Sequence, residues 1–434
     1  MKFYSTKNKS TRYSLEEAVL KSLPDDNGLF MPESIPLLSG DFFNHISAYS
    51  FQDIASEISR KFLQGDIPEE VIDRIARESV NFPVPVISLD RNTSVLELFH
   101  GPTLAFKDVG ARFMARVMAW LNKDKKDKLT ILVATSGDTG SAVANGFFDV
   151  EGIEVIILYP SGKVSPLQEK QLTTLGKNIS ALEIKGSFDD CQALVKTAFL
   201  DSSLRKVYRL SSANSINIAR LIPQSFYYVE AFKQMNGRPG IVFSVPSGNF
   251  GNLTAGLFAM RMGLPVSHFI AANNSNDSVR RYLESGKFNP GETVSTISNA
   301  MDVGNPSNFA RMLDIFKNSS EEMARVISAY SFSDDKTRSA MIKLFKENDY
   351  IMDPHGAVGY LGWKEYSKSD NSDHHGVVLE TAHPAKFIDV VESTLQVQIP
   401  LPEALHDLKD RVKNSVVLGK NYAEFHQFLM SRSK

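Results

Sequence analysis

The sequence predicts an α/β protein built from parallel sheets and preceded by a separate leading segment. Short continuous apolar runs, such as Thr130-Ile131-Leu132-Val133-Ala134-Thr135 and Val155-Ile156-Ile157-Leu158-Tyr159, alternate with segments of helical spacing. Strands that are apolar on both faces belong to a parallel sheet covered by helices on both sides. A second series of the same kind starts after residue 235, so the pattern comes in two halves. The length of 434 residues is too great for one small core and implies two or three domains. The pattern divides the chain into 1–90, 91–235 and 236–434, with segments free to exchange between the two later parts.

In the leading part, Ser14-Leu15-Glu16-Glu17-Ala18-Val19 starts a helix, with Ser14 as N-cap and Glu17 completing a capping box. Gly28 to Pro32 reads as an extended segment. Phe51–Phe62 and Pro68–Arg77 read as amphipathic helices. No chemical constellation appears here, so packing and oligomer contact are the expected roles. Strands are then expected at 95–99, 130–135, 155–159 and 181–184. Helices follow Lys107 and span 141–148, 165–175 and 189–199. The second series has strands at 240–246, 268–272 and 376–380, and helices at 252–262, 306–316, 320–329 and 335–346. Ser367 to His375 is polar and reads as a surface loop. Its His374-His375 pair has no acidic or cysteine partners at ligand spacing, so no metal site is expected.

An apolar fraction of 42% and a charged fraction of 23% are ordinary for a globular enzyme. The net charge of -2 gives no electrostatic case for nucleic acid or an anionic membrane as partner. The single cysteine, Cys191, rules out an intramolecular disulfide and is expected to be a small buried residue. No apolar run suits a signal peptide or a membrane span, so the expected compartment is the cytoplasm.

Chemistry is expected around Phe99-His100-Gly101-Pro102-Thr103-Leu104-Ala105-Phe106-Lys107-Asp108-Val109-Gly110. A Gly-Pro turn is followed by an apolar run, a lysine and then helical spacing through Phe113, Met114, Val117, Met118 and Leu121. A lysine held among apolar neighbours loses solvation, which lowers its pKa and makes the amine a nucleophile for carbonyls. Taken alone, this lysine reads more readily as a solvated surface group, and the polar loops elsewhere in the chain are what shift that reading.

Polar loops follow other strands. Ser247-Gly248-Asn249-Phe250-Gly251-Asn252 can bring backbone N–H groups to an anion at a helix start. It is neither a dinucleotide fingerprint nor a P-loop. Thr135-Ser136-Gly137-Asp138-Thr139-Gly140-Ser141 offers hydroxyls and N–H groups, or only helix caps. Ser212 to Arg220 reads as a capped helix start with a solvated arginine, although Arg220 also suits phosphate. Glu380-Thr381-Ala382-His383-Pro384-Ala385-Lys386-Phe387 follows the last strand. His383 and Lys386 there are open between structural and entrance-lining roles, and a metal role for His355 is not expected.

The Phe99–Gly110 stretch resembles the lysine motif of the threonine synthase family, pyridoxal-phosphate (PLP) enzymes of the tryptophan-synthase β-like fold (fold type II). The resemblance runs from Met1 to about Phe387. It implies two Rossmann-like halves with PLP in the cleft between them, plus the N-terminal domain of the longer members. It implies that Lys107 carries PLP and that Gly248, Asn249, Phe250 and Asn252 cup its phosphate. Thr381 would face the pyridine nitrogen, and Asp138 would lie near the ring hydroxyl. Ser136 and Thr139 would hold substrate groups, and Asn214, Ser215 and Arg220 the substrate phosphate. Many relatives carry Asp where this chain has Asn252, and shorter members carry Asn where it has Asp138. The implied reaction turns O-phospho-L-homoserine and water into L-threonine and phosphate, in a monomer or a homodimer. A phospho-lyase releasing an oxo-acid and ammonia, and a non-catalytic phosphometabolite sensor, are the alternatives.

Overall fold

The computed structural model describes residues 1–369, 372–408 and 410–432. Strands β1 (Phe3–Ser5) and β2 (Phe30–Pro32) pair antiparallel in the leading part. Ser14 and Glu17 cap the helix Leu15–Lys21 reciprocally. The helices Phe51–Leu63 and Glu69–Ser79 bury Ile54, Ile58, Phe62, Ile72 and Ile75, the stripe that their apolar spacing dictates.

Strands β3 (Val86–Asp90) and β4 (Thr93–Glu97) then form an antiparallel pair. They are followed by β5 (Leu129–Ala134), β6 (Ile153–Pro160), β7 (Ile179–Ile184), β8 (Arg209–Ser212), β9 (Ile241–Pro246), β10 (His268–Asn273), β11 (Ile327–Ser331), β12 (His375–Glu380) and β13 (Val416–Leu418). One sheet has the order β11-β10-β9-β12-β4-β3 and the other β13-β7-β6-β5-β8. Apart from the β3–β4 pair, both are parallel. The halves exchange segments: β4 lies beside β12 with Val95 opposite Val378, and β13 lies beside β7. Residues 86–97 therefore belong with the later sheet, and 416–418 with the earlier one.

Several expectations are corrected. The helix expected at 320–329 stops at Ala324, and Ile327–Ser331 runs as an edge strand beside β10. The segment 367–375 is only in part a surface loop: residues 372–374 are irregular, with 372 and 373 exposed. The helix Pro354–Ser369 covers its start, and residues 370 and 371 lie outside the described residues. His375 opens β12 as a buried residue, with its ring nitrogens 2.8 Å from Ser94 Oγ and 3.0 Å from Arg238 Nη1. Strands β8 and β13 were not anticipated, being short and mixed in character. Cys191 is fully buried, and burial pushes its thiol up to about 12. Among the described residues, no helix is long and apolar enough to cross a membrane.

The polar loops singled out from the sequence all leave the carboxyl ends of parallel strands. Residues 98–107 follow β4, 135–138 follow β5, 213–217 follow β8, 247–250 follow β9 and 381–387 follow β12. In α/β sheets this is the end that carries ligand sites.

Candidate active site

Lys107 is the first residue of the helix Lys107–Asn122. The turn before it is over-determined. Leu104 sits at φ 58, a costly backbone for a bulky side chain. The Thr103 N–H and hydroxyl donate to the two oxygens of Asp108 at 2.9 and 2.5 Å. The Phe106 N–H donates to the Thr381 carbonyl at 2.9 Å, and the His383 N–H to the Leu104 carbonyl at 3.0 Å. Lys107 and Thr381, far apart in sequence, are thereby side by side. The Thr381 side chain is buried, and its hydroxyl has no partner among the described residues.

The Lys107 side chain is 14% exposed, with Nζ 3.7 Å from Asp138 Oδ2. Burial pulls its pKa down to about 8; Asp138 opposes this, and Arg220 and Lys386 add to it. Asp138 opens the helix Asp138–Phe147 after Gly137, whose φ of 135 excludes other residues. Its Oδ1 lies 2.7 Å from Lys386 Nζ and accepts from Gln168 Nε2 at 2.8 Å. Despite burial, Lys386 and then Lys107 hold the Asp138 carboxyl far below the usual range. The Thr135 hydroxyl accepts from the N–H groups of Gly137 and Gly140 and shapes this loop. The hydroxyls of Ser136 and Thr139 have no partner among the described residues.

The loop after β9 leaves an anion cradle. No acceptor among the described residues meets the N–H groups of Gly248, Asn249, Phe250, Gly251 or Asn252. Phe250 is buried at φ 59, next to the helix Gly251–Arg261. A Cβ on Gly248 would lie 2.6 Å from the Met301 backbone. The Asn252 side chain braces the loop by donating to the Pro246 carbonyl at 2.8 Å and accepting from the Leu253 N–H. Asn249 donates to Ser215 Oγ at 2.6 Å and accepts from the Ser307 N–H at 2.5 Å, tying the loops after β8 and β9 together. Asn214 donates to the Ala134 carbonyl at 3.1 Å, which brings in the end of β5.

Arg220 corrects the expectation of a solvated side chain. It is buried, donates from Nη1 to the Ala213 carbonyl at 2.5 Å, and has an unpaired Nε. Burial lowers its pKa to about 10. Gly110 makes room for this packing, since a Cβ there would lie 3.1 Å from the Arg220 carbonyl. Lys386 is fully buried and lines no entrance. His383 caps the turn Pro384–Phe387 through the Ala385 N–H, and burial lowers its pKa to about 4. His355 is likewise buried, 2.6 Å from Asp353.

Sequence reasoning missed the pairing of Lys386 with Asp138, and it missed Arg311. The Arg311 guanidinium is fully buried and donates to the carbonyls of Phe30 at 3.1 Å and Ile216 at 2.6 Å, and to Asn308 Oδ1 at 2.7 Å. It joins the leading part to the loops after β8 and β9. A cleft of about 580 Å³ opens among the same parts, bordered by Thr6, Lys7, Ser212, Asn214, Asn249 and Ser307. Lys107, Asp138 and Thr381 do not line it.

The profile of the family described as "Pyridoxal-phosphate dependent enzyme" matches residues 83–379. "Threonine synthase N terminus" matches 2–80, and "Threonine synthase, C-terminal" matches 356–429. The threonine synthase of Haemophilus influenzae is 44% identical over 99% of this chain and 100% of its own. The crystal structure of the Escherichia coli threonine synthase is 42% identical and covers 99% of this chain and 100% of its own, with a TM-score of 0.93. The PLP-bound threonine synthase of Brucella melitensis is 35% identical, with complete coverage of both chains and a TM-score of 0.93. Matched in this way along essentially its whole length, the chain belongs to the threonine synthase family of pyridoxal-phosphate-dependent enzymes.

Proposed function

We propose that this chain converts O-phospho-L-homoserine and water to L-threonine and phosphate. The observation that carries the reading is similarity to threonine synthases along essentially the whole chain. The residues fit the cofactor. The unpaired N–H groups from Gly248 to Asn252 at a helix start suit its phosphate. The amine of Lys107 suits its carbonyl, and the free Thr381 hydroxyl suits its ring nitrogen. Bound there, PLP supplies the sink for the electron pair left when a proton leaves the substrate carbon.

The protein's own groups do the rest. Lys107 Nζ, its pKa lowered by burial to about 8, takes the proton at the substrate Cα when unprotonated. Lys107 and Lys386 place cations beside the Asp138 carboxylate, and Arg220 adds a third near Lys107. This imbalance favours a substrate with two anionic groups. Ser136 and Thr139 offer unpaired hydroxyls for its carboxylate. Asn214, Ser215 and the buried Arg220 form the phosphate end, where an unpaired Nε remains to donate. Loss of a Cβ proton then expels the γ-phosphate, Cγ takes up a proton, the hydroxyl of water adds at Cβ, and a proton returns to Cα.

We also place the chain in the cytoplasm, as a monomer or homodimer, with domains near 1–90, 91–235 and 236–434 that share strands. The test is purified protein with PLP and O-phosphohomoserine. Threonine and phosphate in equal amounts, both lost in Lys107→Ala, are expected. Release of 2-oxobutyrate and ammonia without threonine would instead identify a phospho-lyase.

A further inference from the structure

We propose that Lys386 is a positioning residue for Lys107: it holds one oxygen of Asp138 in an ion pair and so keeps that carboxylate from claiming the Lys107 amine. The inference rests on the reading of Lys107 as the reactive amine. Lys386 Nζ lies 2.7 Å from Asp138 Oδ1, and Gln168 Nε2 donates to the same oxygen at 2.8 Å. Lys107 Nζ stands 3.7 Å from Oδ2, longer than a hydrogen bond. The carboxylate is therefore oriented by its other partners, and Lys107 is left loosely held.

Lys386 is itself fixed. It is fully buried and donates to the Thr103 carbonyl at 2.8 Å. Its turn, Pro384–Phe387, is capped by His383. The charged groups acting on Lys107 come from three elements: Asp138 from Asp138–Phe147, Lys386 from Pro384–Phe387, and Arg220 from Ile218–Leu221. His355, from Pro354–Ser369, acts on Asp138, and Lys386 also faces Asp108 of the helix Lys107–Asn122. A lone carboxylate beside Lys107 would draw a proton onto the amine, since opposite charges favour the charged form. The second cation on Asp138 opposes part of that pull, and an amine that must attack a carbonyl needs its lone pair.

The test uses the full chain freed of cofactor and treated with pyridoxal and cyanoborohydride from pH 6 to 10, a window spanning the titration of a perturbed lysine. Labelling of the Lys107 peptide is followed by mass spectrometry. The wild-type midpoint is expected near 8. In Lys386→Gln, which keeps an N–H donor but removes the charge, the midpoint is expected to rise by about one pH unit or more. Lys386→Arg keeps the charge and should stay with the wild type. A folded Lys386→Gln with an unmoved midpoint would overturn the inference. So would an equal shift in Lys386→Arg, which would make the side chain a structural peg. If Lys386→Gln does not fold, Asp138→Asn decides: a lowered midpoint supports the coupling, and an unchanged one overturns it. Threonine formation plays no part, so failure here and failure of the product assignment are read separately.

Discussion

Replacing Gly356 with alanine tests the packing that supports Thr381. Gly356 lies near the start of the helix Pro354–Ser369, and a Cβ there would lie 1.4 Å from Glu380 Oε2, 2.6 Å from its Cδ and 2.9 Å from Met352 Cγ. In an exposed helix the change would gain about 1 kcal/mol of propensity. Here the Glu380 carboxyl would have to retreat by about 2 Å to reach ordinary contact. It has no free space, being fully buried, with Oε1 accepting the Asp353 N–H at 2.7 Å. Overpacking costs about 1–3 kcal/mol, and stranding the Asp353 N–H costs about 1–3 kcal/mol more. The loss outweighs the propensity gain, for a net destabilisation of about 3 kcal/mol. Glu380 also precedes Thr381, whose carbonyl holds Phe106 beside Lys107, so PLP absorbance at a fixed cofactor concentration should fall as well. Thermal unfolding followed by circular dichroism is the assay, with a drop of about 3 °C expected for a chain of this length. A variant that melts at or above the wild type would refute the placement of the Glu380 carboxyl.

Three further outcomes are expected. Lys107→Met should stabilise the cofactor-free chain near pH 7, because the folded state holds this lysine at about 8 against an ordinary 10.5. The lysine's penalty, about 3 kcal/mol, is fully present below pH 8 and is relieved between 8 and 10.5, where the unfolded chain binds more protons. Denaturant midpoints of the two proteins should therefore converge as pH rises, and a difference that is flat with pH would contradict the burial of this amine. Asn249→Ala removes the bonds to Ser215 Oγ and the Ser307 N–H. It should weaken PLP binding about tenfold by equilibrium dialysis, and unchanged affinity would deny Asn249 its bracing role. Arg311→Lys keeps a charge but not the fork that reaches Phe30, Ile216 and Asn308. Limited proteolysis should then cut the leading part faster, whereas equal rates would show that this part is held elsewhere.

The elements legible in the sequence are those set by local pattern. Strands β5, β6 and β9 are apolar on both faces, and Ser14 with Glu17 forms a capping box that the structure contains. The loops after β5 and β9 were legible because they combine glycine, hydroxyl and amide residues at helix starts. What escaped depends on distant partners. His375 is buried by Ser94 and Arg238, neither of them near it in the chain. Ile327–Ser331 is mostly half-exposed, so its apolar spacing does not separate an edge strand from the end of a helix. Arg220 is buried because Gly110 lets two helices approach closely, and one helix start by itself cannot signal that. Lys386 meets Asp138 only once β12 and β5 have delivered their loops to the same place.

The central claim is that a carbon–oxygen bond of the substrate breaks and water then adds at Cβ. Turnover of O-phosphohomoserine in heavy-oxygen water, with mass spectrometry of both products, tests it most directly. One solvent oxygen in the threonine hydroxyl and none in the phosphate is the predicted result. Solvent oxygen in the phosphate, with no threonine formed, would mean that the phosphorus–oxygen bond is cut instead, and would contradict the account.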